Sequence, residues 1–69
     1  MKISARNQLK GKVVSVTKGA TTAHVLLDIG GGNLVTASIT NNAAEELNLR
    51  EGVTAYAVVK ASDVMIAID

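Results

Sequence analysis

The sequence predicts an all-β domain of five strands, with one short helix between the third and fourth, in the order of a Greek-key barrel. Three observations carry this. Apolar and polar residues alternate along most of the chain, the period of a strand half-buried in a sheet, and β-branched residues dominate. Glycine-bearing breaks at Lys18-Gly19-Ala20, Gly30-Gly31-Gly32-Asn33 and Arg50-Glu51-Gly52 punctuate the pattern. Only one stretch, residues 42–48, has the composition of a helix.

The first strand is expected over residues 9–17 and is closed by the Lys18-Gly19-Ala20 turn. In the second, residues 22–29, Ala23, Val25, Leu27 and Ile29 share one face, and His24, Leu26 and Asp28 take the other. Gly30-Gly31-Gly32-Asn33 reads as a hairpin connection, where glycine adopts positive φ without steric cost. The third strand, residues 34–40, sets Val35, Ala37 and Ile39 against Leu34, Thr36 and Ser38. Asn42 with Glu45 three residues on resembles a capping box, and Ala43 to Leu47 are mostly good helix formers, so a helix of about two turns is expected to end near Asn48. The fourth strand, residues 53–60, places Val53, Ala55, Ala57 and Val59 on one face. The last, residues 64–68, is apolar on both faces, and such a strand is covered on both. In so short a chain the second cover is expected from another subunit. This order of elements matches a five-stranded OB-type Greek-key barrel.

The composition points the same way. A chain of 69 residues makes one small domain, expected to span 1–69 without linker or repeat, and its stability is marginal unless something supplements the core. Without cysteine there is neither a disulfide nor a thiolate metal site, and His24 alone cannot make a multi-histidine zinc site. Oligomerisation remains. Hydrophobic residues are 48% of the chain, yet Phe and Trp are absent and Tyr56 is the one aromatic. Some of this aliphatic surplus must lie outside the core, where it is an interface or a hazard. A net charge of +1 is no nucleic-acid footprint, and one tyrosine is a poor stacking platform for single strands. No apolar run reaches membrane-spanning length, and the opening residues lack the apolar stretch of a signal peptide, so a cytoplasmic location is expected.

No catalytic set emerges, so an enzyme is not expected. Asp28, Glu45, Glu46, Glu51, Asp63 and Asp69 are scattered, and solvated surface charge accounts for them. The triple glycine is followed by a strand, whereas a phosphate-cradling loop leads into a helix. His24 reads as a surface or interface histidine able to make association pH-dependent. The opening, Ser4-Ala5-Arg6-Asn7-Gln8-Leu9-Lys10-Gly11-Lys12-Val13, is different. It gathers hydroxyl, guanidinium, amide and ammonium donors, chemistry suited to a tetrahedral oxyanion. Its plainer reading is a polar N-terminal arm.

This opening resembles the signature of the molbindin (Mop) family. The resemblance continues through the glycine hairpin at 30–33, Ile39-Thr40 leading into Glu45-Glu46-Leu47, and Leu49-Arg50-Glu51-Gly52. It ends with Val58-Val59-Lys60-Ala61-Ser62-Asp63-Val64-Met65, so it covers essentially the whole chain. It implies a Mop/TOBE barrel that binds molybdate, and tungstate similarly, between subunits of a hexamer built as a trimer of dimers, in molybdenum storage or homeostasis. It implies a site taking Ser4 and Arg6 from one subunit and Thr40 and Lys60 from another. Many relatives place a serine three residues after that threonine. This chain has Ala43 there, leaving a backbone N–H in place of a side-chain donor. A second class of site near the threefold axis has its candidate in Lys18, Gly19 and Ala20. The alternative role is a molybdate-responsive carrier or sensor acting on a protein partner. It lacks any attached DNA-binding or ATPase domain here.

Overall fold

The computed structural model describes residues 1–69. Its elements are β1 (Asn7–Lys18), β2 (Thr22–Gly30), β3 (Asn33–Thr40), α1 (Asn41–Glu46), β4 (Thr54–Val59) and a 3₁₀ turn over Ala61–Asp63. The four strands form one antiparallel sheet in the order β3-β2-β1-β4. The fold is all-β, a curled sheet with one short helix.

β1 sits between two neighbours and is the spine of the molecule. Its first half pairs with β4, from Asn7 opposite Val59 to Lys12 opposite Thr54. Its second half pairs with β2, from Lys12 opposite Asp28 to Lys18 opposite Ala23. A bulge separates the halves: Val13 faces Leu27 and Ser15 faces Leu26, leaving Val14 as the extra residue. A bulge bends a strand and raises its twist, so one long strand serves two directions of the sheet. At Gly11 the neighbouring strand lies so close that a Cβ would collide with the Asp28 carbonyl.

The concave face holds the core. Val13, Val25 and Leu27 are buried and packed by Val16, Ile29, Val35, Ala37, Ile39, Leu49, Val53, Ala55 and Ala57. Val25, Leu27 and Ile29, Val35, Ala37 and Ile39, and Val53, Ala55 and Ala57 are the alternating positions expected from the sequence; Val13, Val16 and Leu49 join them from outside that expectation. Only five residues of the whole chain are buried, so the core is thin. The glycine hairpin is as expected: Gly31 and Gly32, the two turn residues, have φ of 62° and 79°, the handedness that two-residue hairpins with both central residues at positive φ require.

Two expectations differ from the structure. The helix starts two residues earlier than an Asn42 cap would place it, and its cap is Thr40. Thr40 ends β3 in extended conformation with its hydroxyl already over the first turn, so it accepts the orphan N–H before Asn42 can act. The fifth strand is also absent: residues 64–69 pair with nothing in their own chain. Met65, Ile66 and Ile68 are 92%, 87% and 93% exposed. After the 3₁₀ turn the tail leaves the sheet, and β3 and β4 both keep a free edge. No helix is long and apolar enough to cross a membrane.

Candidate oxyanion site

The register of β1 against β4 builds the site. Asn7 is opposite Val59, so the residues just outside the ladder, 4–6 on one side and 60–62 on the other, must lie side by side. They line one open hollow: Ser4, Arg6, Lys60 and Ser62 supply polar groups, and Ile3, Ala5 and Ala61 supply apolar walls. The hollow contains no acidic residue.

Local bonds shape the arm. Arg6 donates from Nε to the Ser4 carbonyl at 2.9 Å, which leaves the two terminal guanidinium nitrogens free for a ligand. Gln8 donates from Nε2 to the Ala5 carbonyl at 3.1 Å, and Asn7 donates from Nδ2 to the Val59 carbonyl at 3.2 Å. Neither Arg6 nor Lys60 has a carboxylate partner, because the one salt bridge of the chain joins Lys18 to Glu45. Two cations and two hydroxyls therefore converge without a counter-charge. No group of three or more His, Asp or Glu side chains gathers anywhere to hold a cation. The available chemistry is donation to an anion, and a planar guanidinium matches the oxygen spacing of an oxyanion well.

Thr40 and Ala43 are elsewhere. Thr40 pairs with Thr22, next to the Ala23 that faces Lys18, at the far end of β1 from Asn7. At about 3.3 Å per residue the two ends of β1 are separated by on the order of 30 Å along the strand. One chain thus carries two donor groups at opposite ends of β1, with Lys60 beside Ser4 and Arg6 at one end and Thr40 at the other. The Ala43 N–H, expected to be free, donates to Thr40 Oγ1 at 3.1 Å. The Thr40 hydroxyl accepts that bond and keeps its own proton to donate.

The Lys18-Gly19-Ala20 turn is also partly used. Lys18 Nζ is 3.0 Å from Glu45 Oε1, the Gly19 N–H donates to the Thr22 carbonyl at 2.8 Å, and the Gly19 carbonyl accepts from Asn41 Nδ2 at 3.0 Å. Its charge and one of its amides are committed within the chain. His24 is exposed between Thr17 and Ser38 on the outer face, away from the hollow. Ser62 was not singled out by sequence, although it stands two residues after Lys60. Only the turn of the 3₁₀ segment brings it back to the hollow.

Comparison with known proteins gives the family and bears on the fold. The model of the TOBE domain matches residues 3–66. A probable molybdenum-pterin-binding protein of Haemophilus influenzae is 54% identical over 69 residues, all of both chains. A solved molybdate-binding protein from Sporomusa ovata superposes with a TM-score of 0.91 at 34% identity, covering 99% of this chain and all of that one. The cytoplasmic molybdate-binding protein ModG, solved with molybdate bound, superposes with a TM-score of 0.89 at 43% identity, and the match spans 94% of this chain and 46% of that one. With a TOBE match over nearly its whole length and a full-length relative at this identity, the chain belongs to the molbindin (Mop) family of TOBE-domain proteins.

Proposed function

We propose that this chain binds molybdate, and tungstate by the same chemistry, as a single-domain storage or buffering protein of the cytoplasm, and not as an enzyme. The observation that carries the reading is the hollow of Ser4, Arg6, Lys60 and Ser62, all donors and no carboxylate. Molybdate near neutral pH is a tetrahedral dianion with four acceptor oxygens and no proton to give. Phosphate is often protonated, and its own donor would be unmatched among donors, a mismatch worth about 1–3 kcal/mol once buried. Sulfate has the same charge and shape but is smaller, so its rejection depends on the spacing of the donors.

The site works between copies. Ser4, Arg6 and Lys60 of one chain meet Thr40 at the helix start of another, because within one chain they lie at opposite ends of β1. The exposed apolar tail and the free edges of β3 and β4 supply surface for that assembly, taken as a hexamer built as a trimer of dimers. Without the anion, Arg6 and Lys60 crowd like charges at the contact, so the ligand stabilises the assembly. The names of relatives mention a pterin as well. The concave face has no buried polar group to match a pterin's ring nitrogens and amide, so the bare oxyanion is the better fit.

The test is calorimetric titration with molybdate, sulfate and phosphate, after light scattering has given the mass. Tight molybdate binding with little sulfate and no phosphate heat supports the reading. A correctly assembled oligomer that takes up no molybdate overturns it.

A further inference from the structure

We infer that Asn7 is a positioning residue for the oxyanion hollow, its side-chain amide tying the arm that carries Ser4 and Arg6 to the strand end that carries Lys60. The inference rests on the molybdate reading above and adds to it a residue that does not touch the ligand.

Asn7 is the first residue of β1 and Val59 the last of β4, and they face each other at the end of the ladder. Ladder ends open most readily, since nothing beyond them holds the pair. Here the Asn7 side chain adds a bond of its own, from Nδ2 to the Val59 carbonyl at 3.2 Å, across 52 residues of sequence. It is half-buried, unlike the exposed Arg6 and Gln8 bonds beside it. Those two stay inside the arm: Arg6 holds Ser4 and Gln8 holds Ala5. Of the side-chain bonds at this end, Asn7 alone spans from the arm to β4. The residue it grips is immediately before Lys60. The backbone segments that carry Arg6 and Lys60 are therefore tied together by a neutral amide that leaves both charges to the anion. Spacing is also what separates molybdate from the smaller sulfate. Asparagine has little strand propensity of its own, and its place at the mouth of a strand is accounted for by this bond.

The experiment titrates the full chain, wild type, Asn7→Ala and Asn7→Asp, with molybdate and with sulfate, and follows melting and oligomer mass on the same samples. Asn7→Ala is expected to weaken molybdate at least about ten-fold and to narrow the molybdate-to-sulfate ratio, the scale seen when residues that orient ligands are removed. Asn7→Asp, of the same shape but without the donor and with a carboxylate beside the anion, weakens it further. A merely structural role would lower the folded fraction and so the stoichiometry, and would leave the anion ratio where it was. Molybdate affinity within about two-fold of wild type, a small fraction of a kcal/mol, overturns the inference. So does weaker binding that tracks lost folding or assembly at an unchanged ratio. A wild-type chain that binds no molybdate overturns the ligand reading and this inference together. Wild-type binding with indifferent variants overturns this inference alone.

Discussion

Thr40 Oγ1 accepts the backbone N–H of Ala43 at 3.1 Å, and that bond starts the only α-helix of the chain. Two residues that the family pattern offers to the ligand are therefore already bonded to each other. Thr40→Val removes the acceptor and the hydroxyl proton at once. It is expected to cost about 1 kcal/mol of stability through the lost cap, and to weaken molybdate as well. Thr40→Ser keeps both functions and is expected to restore both readings. Chemical denaturation and calorimetry on the two variants check this; equal molybdate affinity in Thr40→Val would remove Thr40 from the site.

Ala43 is the third residue of the same helix, and its N–H is occupied, so it brings no free donor. Ala43→Ser adds a hydroxyl facing the helix start. The helix loses a few tenths of a kcal/mol in propensity. If the hydroxyl reaches the anion, one neutral hydrogen bond adds about 1 kcal/mol, a rise of roughly five-fold in affinity. Unchanged affinity in a stable variant would place residue 43 outside the site.

Arg6 is held by Nε to the Ser4 carbonyl, with its fork of terminal nitrogens directed away from that bond. Arg6→Lys keeps the charge and loses both the fork and the anchor. Molybdate affinity is expected to fall about ten-fold or more, with the oligomer mass unchanged when anion is absent. The loss in Arg6→Lys should persist at high salt, since geometry is missing and not charge. A variant matching wild type at every ionic strength would show that Arg6 acts as a point charge only.

Much of this molecule was legible in the sequence because its signals are local. The alternation at Ala23, Val25 and Leu27 and at Val35, Ala37 and Ile39 marked the concave face, and Gly30-Gly31-Gly32 marked the hairpin. Thr40 capping was hidden because Asn42 with Glu45 offered an equally good local pattern, and the choice between them depends on where β3 ends. The union of Ser4 and Arg6 with Lys60 follows from the register of Asn7 against Val59, a relation across 52 residues that no local pattern states. Residues 64–68 read as a strand because their side chains are those of a strand. Whether a strand forms depends on reaching a partner edge, and within its own chain the tail pairs with neither the free edge of β3 nor that of β4.

Gly11 lies where β1 passes from one neighbour to the other, and a Cβ there meets the Asp28 carbonyl, with the Leu27 side chain at 3.1 Å. The obstacle is mainly backbone, which cannot rotate away. Gly11→Ala is expected to destabilise by about 1–3 kcal/mol, the range for overpacking, and more where the β1–β2 register is forced apart. Its yield of folded protein and denaturation midpoint measure this. A midpoint equal to wild type would mean that the two strands can separate at no cost.

The tail is the surface on which the proposed assembly of copies can be tested. Met65, Ile66 and Ile68 are nearly fully exposed in one chain, while β3 and β4 keep unpaired edges beside a concave apolar face. Burying side chains of this kind is worth about 1.5–3 kcal/mol each, and exposed edges attract strands. Ending the chain at Asp63 is therefore expected to shift the oligomer to smaller species at micromolar concentration. Ile66→Asp should do the same in a chain of full length, whereas Asp69→Asn should leave the mass as it is. Light scattering or sedimentation gives the answer directly. If the proposed site between copies is right, molybdate binding should fall with the mass, because within one chain Thr40 lies at the opposite end of β1 from Ser4, Arg6 and Lys60. A shortened chain that keeps its mass would place assembly on another face, and one that dissociates yet binds molybdate at wild-type strength would make the hollow of a single chain the whole site.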